Sequence, residues 1–241
     1  MPLTSYGARE IAAGAGVFCL STLGVFSLYR HYGNAWLILS LAPIALLFAW
    51  VLWFFRDPER EVPGVAGVIV SPADGVVTHV DEADEPDFIG GRAGRLSIFL
   101  SIFDVHLNRA PAAGRIEFIK FRPGDFFDAR REESLAKNQN QDIGLIVEEV
   151  GLPGRMVVRQ STGAIARNIV CPVLPGARLK RGQRYGMIKF GSRTTLFLSR
   201  DVEIVWLVKV GDAVKAGETI VARIAGSVPG GASGATGGEN R

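Results

Sequence analysis

The chain has 241 residues, 48 % of them apolar and 21 % charged, with a net charge of +3. That length allows one or two domains with a sizeable core. The charge is too small, and too little interleaved with aromatics, for a nucleic-acid partner, though it suits an anionic lipid surface. Two cysteines, Cys19 and Cys171, make neither a disulfide framework nor a metal site and point to a reducing compartment with no metal bound.

Two apolar runs come first, at residues 11–28 and 35–55, with Trp36, Trp50 and Trp53 near the ends of the second. Each is long enough to cross a hydrocarbon core as a helix. Residues 29–34, which include Arg30 and His31, form a polar turn between them. No small-residue cleavage motif follows the first run, which favours a retained hairpin over a removed signal peptide. Arg9, Arg56 and Arg60 flank the outer ends against one arginine in the turn, which predicts that the rest of the chain faces the cytoplasm from the inner membrane. A shallow re-entrant hairpin would use the same residues.

From residue 62 the texture becomes short Val/Ile/Leu/Phe runs punctuated by glycine and proline, the pattern of a mainly-β domain. Strands are expected at 67–70, 76–80, 95–103, 114–121, 143–150 and 155–160, with a polar helix or mobile loop at 125–142 lying over the sheet. The segments Gly176-Ala-Arg-Leu179-Lys180-Arg-Gly182-Gln183 and Gly211-Asp-Ala-Val214-Lys215-Ala-Gly217-Glu218 both read G-x-x-[LV]-K-x-G-[EQ]. With Ser71-Pro72-Ala73-Asp74-Gly75 they resemble the hammerhead turns of lipoyl-like barrel-sandwich domains, the glycines serving tight turns. The predicted fold is therefore a mainly-β barrel-sandwich sheet with an N-terminal transmembrane or membrane-inserted helical hairpin. The predicted organisation is hairpin and connector at 1–60, β domain at 61–225, and a disordered Gly/Ser/Ala-rich tail at 226–241.

The residues that could carry chemistry are few. Of three histidines, His31 lies in the inter-helix turn and His79 in a strand, while His106 stands where a buried strand meets the polar, proline-terminated run Asp104-Val105-His106-Leu107-Asn108-Arg109-Ala110-Pro111. Asp74 precedes Gly75 in a turn, where an Asx cap is an equally ordinary role. Gly191-Ser192 is a bond at which a hydroxyl can approach a carbonyl unshielded by any side chain.

Taken in order, Phe54-Phe55-Arg56-Asp57-Pro58, Ser71-Pro72-Ala73-Asp74-Gly75, the His106 run, Ile169-Val170-Cys171 and Lys180-Arg181-Gly182 through Phe190-Gly191-Ser192 resemble the phosphatidylserine decarboxylase family, in its short two-helix form. The resemblance implies non-hydrolytic self-cleavage at Gly191-Ser192, giving a large chain 1–191 and a small chain 192–241 that stay together as a heterodimer. Ser192 would become a covalently bound pyruvoyl group that condenses with the serine headgroup amine and serves as electron sink, turning phosphatidylserine into phosphatidylethanolamine and CO2. It also implies catalytic roles for Ser192, His106 and Asp74. Where the long form of the family has a second histidine, this chain has Arg109, which cannot act as an ordinary base; a headgroup clamp or a structural strut are its two open roles. The implied partners are a phospholipid substrate and the membrane, with homo-oligomerisation left open. The competing readings are a membrane-anchored scaffold without activity, which would tolerate Ser192→Ala, and a pyruvoyl enzyme acting on another serine lipid.

Overall fold

The computed structural model describes residues 2–225 except 132, 150, 153, 165, 166 and 190. The tail at 226–241, expected to be disordered, lies outside the described residues, as does Phe190.

Helix α1 (Ala8–Tyr32) runs 25 residues, about 37 Å at 1.5 Å per residue. It stops at Gly33, whose positive φ of 68° lets its N–H turn back to the Tyr29 carbonyl at 2.8 Å. The second apolar run is broken into α2 (Trp36–Leu39) and α3 (Ala42–Phe54), with Pro43 in the first turn of α3. No residue of α1 is buried, and Leu20 and Leu46 are each 72 % exposed. Side chains this apolar, left open along both helices, fit a lipid surrounding better than water. The two segments, Ser5–Tyr32 and Trp36–Phe54, are long and apolar enough to cross a membrane. They contact each other through Phe18 and Phe48, stacked with centroids 5.6 Å apart.

The remainder is mainly β. Strands β1 (Val68–Val70), β2 (Gly75–Glu85) and β3 (Gly91–Leu100) precede β4 (Leu107–Arg109), β5 (Gly114–Arg122), β6 (Asn140–Val147), β7 (Arg155–Ser161), β8 (Asn168–Val170), β9 (Arg178–Leu179) and β10 (Arg184–Lys189). They are followed by β11 (Ser192–Leu198), β12 (Ile204–Trp206), β13 (Ala213–Val214) and β14 (Ile220–Ile224). A curled eight-stranded sheet has the order β13-β2-β3-β11-β7-β6-β5-β9, and two three-stranded sheets have the orders β1-β14-β12 and β4-β10-β8.

These orders reveal two equivalent halves. Half A, β1–β3 with β11–β14, gives β13-β2-β3-β11 and β1-β14-β12; half B, β4–β10, gives β9-β5-β6-β7 and β4-β10-β8. Half B is inserted between β3 and β11 of half A. The repeated G-x-x-[LV]-K-x-G segments occupy matching places: Val214 lies opposite Gly75 at the start of β2, and Leu179 opposite Gly114 at the start of β5. The two proline loops bond reciprocally, Arg109 N–H to the Pro72 carbonyl and Val70 N–H to the Pro111 carbonyl, both at 3.0 Å. All four repeat glycines, Gly176, Gly182, Gly211 and Gly217, have positive φ, which explains their fixed positions.

Alternate residues build the core: Leu96, Ile98 and Leu100 of β3, Ile143 and Leu145 of β6, Met156 and Val158 of β7, and Leu196 and Leu198 of β11 point to one side. A second cluster, Phe54, Phe55, Val105, Leu107 and Met187, welds the end of α3 to half B. Burying each large side chain stabilises by roughly 1.5–3 kcal/mol, so the hairpin is packed onto the β domain rather than merely tethered to it.

Some expected elements differ in extent; the strand expected at 143–150 runs from Asn140 to Val147, and that expected at 76–80 runs from Gly75 to Glu85. The strand expected at 95–103 ends at Leu100, because the Asp104 carboxylate accepts the Ser101 N–H at 2.7 Å and folds residues 101–104 into a turn. Among its described residues the segment at 125–142 holds the five-residue α4 (Glu133–Lys137) and an isolated bridge between Asp125 and Asn138 before β6 begins at Asn140.

Candidate active site

The site lies at the crossing between the halves. Half B is entered through residues 101–106 and Gly191 leads out of it, and the pairing of Ser192 with Leu100 brings these crossings together. Gly191 turns the chain with φ 73°. Ser192 is fully buried, and its Oγ has no hydrogen-bond partner among the described residues. Leaving a buried hydroxyl unsatisfied costs about 1–3 kcal/mol, a local cost that a folding core would normally avoid and a nucleophile can use. The Gly191 carbonyl is pressed against Gly163: a Cβ built on Gly163 would stand 2.5 Å from that oxygen. Gly163 is thus a position of the junction that its sequence signal, a glycine after a strand, does not single out.

His106 reaches the same junction. Its Nε2 accepts the Gly191 N–H at 3.0 Å, and its Nδ1 donates to the Asp104 carbonyl at 3.0 Å. An amide N–H only donates and a carbonyl only accepts, so these partners impose the neutral Nδ1–H tautomer. The ring packs on Phe54 with centroids 4.5 Å apart and is fully buried. Burial lowers its pKa to about 4, overriding the Asp104 carbonyl and charge, which raise it.

Asp74 stands beside this centre without touching Ser192 or His106 by a hydrogen bond among the described residues. One carboxylate oxygen accepts the Ala216 N–H at 2.8 Å, and the other accepts from Arg60 at 2.7 Å. Burial raises its pKa, against the lowering by the Ala216 N–H and Arg60, and the Asp104 charge adds to the rise. Its place is set by Gly75, where a Cβ would fall 2.1 Å from the Phe99 carbonyl oxygen. Arg60, read from sequence only as a flanking charge, is the partner that fixes Asp74.

Arg109 points elsewhere. Its guanidinium donates to the Gly182 carbonyl at 3.0 Å, to the Pro58 carbonyl at 3.1 Å and to Asp57 at 3.4 Å. Asp57 also accepts from Arg184 at 2.6 Å. The Arg-Asp-Pro connector after α3 is therefore bolted to half B by Arg109. Behind β11, Gln160 donates to Asn108 at 2.7 Å, and Asn108 to Thr194 at 2.8 Å, a buried ladder that holds the register two residues beyond Ser192.

Next to the junction opens a pocket of about 330 Å³, lined by Phe99, Ser101, Ile102, Asp128, Arg130, Gly163 and Gly191 among others. Arg130 and Asp128 at its edge are paired at 2.6 Å.

A family model described as phosphatidylserine decarboxylase matches residues 47–222. A protein named phosphatidylserine decarboxylase proenzyme from Symbiobacterium thermophilum is 43 % identical over 219 residues, 90 % of this chain and 97 % of that protein. Proteins of the same name from Rhodopirellula baltica, 44 % identical over 88 % of this chain and 87 % of its own length, and Carboxydothermus hydrogenoformans, 43 % identical over 88 % and 95 %, agree. A curled β sheet carrying an apolar hairpin, with this match along its length, places the chain among the lyases that act as decarboxylases. Within that class it belongs to the phosphatidylserine decarboxylase family.

Proposed function

We propose that the chain is a proenzyme that cuts itself between Gly191 and Ser192 and then decarboxylates phosphatidylserine to phosphatidylethanolamine. The observation that carries this is the buried Ser192 Oγ, without a hydrogen-bond partner among the described residues, next to a Gly191 carbonyl on which Gly163 packs with no side chain of its own.

In the first step Ser192 Oγ attacks the Gly191 carbonyl carbon. The Gly191–Ser192 C–N bond breaks as its nitrogen takes a proton, leaving an ester between Gly191 and the Ser192 side chain. Loss of the Ser192 α-proton expels the Gly191 carboxylate, ending the chain 1–191. The dehydroalanyl end of chain 192–241 tautomerises and is hydrolysed, releasing ammonia and leaving a pyruvoyl group. Orientation has to do much of this work, since a free serine hydroxyl is a poor nucleophile. His106 fixes the Gly191 amide through Nε2, and Gly163 lets the carbonyl lie flat against the backbone.

The residues around Ser192 suit such a group, with the pocket of about 330 Å³ at hand for the headgroup. When present, the pyruvoyl supplies the electron sink for the carbanion left by CO2. His106 gains a second task once the strand end at Gly191 is cut: its Nε2, released from the Gly191 N–H, exchanges protons with the headgroup. Asp74, with its carboxyl raised by burial, sets the electrostatics of the junction through Arg60 and Asp104. Arg109 is a strut rather than a headgroup clamp, because its donors already serve Asp57, Pro58 and Gly182.

The two chains would remain one molecule, because β11 is laddered on both sides, to β3 and to β7. The hairpin seats the enzyme in the inner membrane, with the arginines at its outer ends placing the β domain on the cytoplasmic side. A scaffold without activity gains no support from the relatives, all named as proenzymes. The test is decarboxylation by the full-length protein in vesicles holding phosphatidylserine labelled in the serine carboxyl. Release of labelled CO2 by wild type and none by Ser192→Ala is the expected result; equal release by both refutes the assignment of Ser192.

A further inference from the structure

The loop at 101–104 is hung from the end of the membrane hairpin. Arg56 donates to the Phe103 carbonyl at 2.6 Å and to the Trp53 carbonyl at 2.9 Å, and its guanidinium lies 4.4 Å from the centre of the Trp53 ring. Trp53 and Arg56 sit where the apolar span ends at Phe54, the level at which tryptophan and arginine meet the membrane–water interface. The carbonyl of Phe103 is therefore held at that level by the same arginine. Phe103 is 65 % exposed, and it does not stand alone, since Trp53, 51 % exposed, shares the same arginine. The turn that presents it is stiff: Asp104 accepts the Ser101 N–H at 2.7 Å, and Ser101 Oγ accepts the Phe103 N–H at 3.2 Å. The neighbours on either side of Phe103 belong to the site, since Ile102 lines the pocket with Gly191, and the Asp104 carbonyl holds His106.

We propose that this loop is a second membrane contact, with Phe103 dipping into the headgroup–acyl boundary of the phospholipid leaflet that holds the hairpin. The contact continues the apolar surface of the hairpin onto the rim of the pocket. It places the pocket mouth at headgroup level, so that a lipid headgroup enters while its acyl chains stay in the leaflet. This inference rests on the membrane seating and the lipid substrate proposed above.

The test is nitroxide accessibility in the full-length protein reconstituted into phosphatidylcholine–phosphatidylglycerol vesicles, with Cys19 and Cys171 replaced. Labels are placed at Phe103→Cys, at Leu20→Cys in α1, and at Asp84→Cys, which pairs with Arg92 roughly 25 Å down the sheet from Leu100. The expected result is a label at 103 that collides with oxygen and is shielded from a water-soluble nickel complex, as at 20 and unlike 84. A label at 103 as open to nickel as that at 84, while 20 remains in lipid, overturns the contact; nickel access at 20 would instead refute the hairpin seating. Shielding at 103 that persists in detergent with spin–spin broadening would show a second copy of the chain there, and also overturns it. Phe103→Ser should raise KM for vesicle-borne substrate several-fold with kcat retained, and Phe103→Trp should keep the wild-type value. An unchanged KM in Phe103→Ser counts against the proposal.

Discussion

His106 is held between a donor and an acceptor that leave it one tautomer, and its pKa of about 4 has a consequence for stability. The folded value lies below the ordinary unfolded value of about 6.5, so the folded state binds fewer protons. The neutral ring's contribution is complete above about pH 6.5 and is lost as pH falls towards 4, by roughly 3 kcal/mol in all at 1.36 kcal/mol per unit. Urea unfolding of Ser192→Ala at pH 7 and pH 5 should show about 2 kcal/mol of that loss, because pH 5 still lies above the folded value, and adding His106→Gln should flatten it; equal slopes with and without His106 would contradict the account. At Gly163 the constraint is steric. A methyl group 2.5 Å from the Gly191 oxygen must displace that carbonyl, so Gly163→Ala should fold and yet self-cleave at least tenfold more slowly in a gel time course. Ser192, His106 and Asp74 stand out in the sequence through their motifs. The His106–Gly191 contact does not, because it joins residues 85 apart, and neither does the employment of Arg109 by a connector 51 residues upstream. Local pattern carries residue type and spacing; it does not carry which distant backbone group a side chain will meet.

At the scale of elements, the hairpin is part of the site as well as an anchor. Phe54 covers His106, Arg56 holds the 101–104 turn, and Lys189, the last residue of β10, donates to Glu10 in the first turns of α1 at 2.6 Å. The Lys189 side chain is 8 % exposed, so removing its acid strands a nearly buried charge, at a cost on the order of 3 kcal/mol. That cost falls on the strand end two residues before Gly191. Glu10→Gln should therefore slow self-cleavage in vesicles, Lys189→Met should slow it less, and the exchange Glu10→Lys with Lys189→Glu should recover part of the rate. Equal rates across the series would show that the pair anchors without positioning. The two apolar runs were plain in the sequence because length and composition alone define them. Their docking was hidden, since Phe54 and Phe55 look like the end of a lipid-facing helix and are in fact fully buried against half B.

At the scale of the whole molecule, two seven-stranded halves, counted among the described residues, repeat one topology, and half B interrupts the β3–β11 hairpin of half A. The repeat is visible in sequence at the two G-x-x-[LV]-K-x-G-[EQ] segments and two Pro-Ala loops, where tight turns restrict residue choice. Elsewhere any apolar alternation serves the sheet, so the halves have no reason to look alike. Under the proposed self-cleavage such a chain would be cut inside its core and survive: the cut would fall at a crossing between halves, and β11 would keep both ladders. The most direct test of the self-processing account is denaturing intact-mass analysis of the purified full-length protein. The account predicts two polypeptides divided between Gly191 and Ser192, the smaller lighter by one ammonia than a peptide beginning with serine. A single intact chain from folded, membrane-reconstituted protein would contradict it.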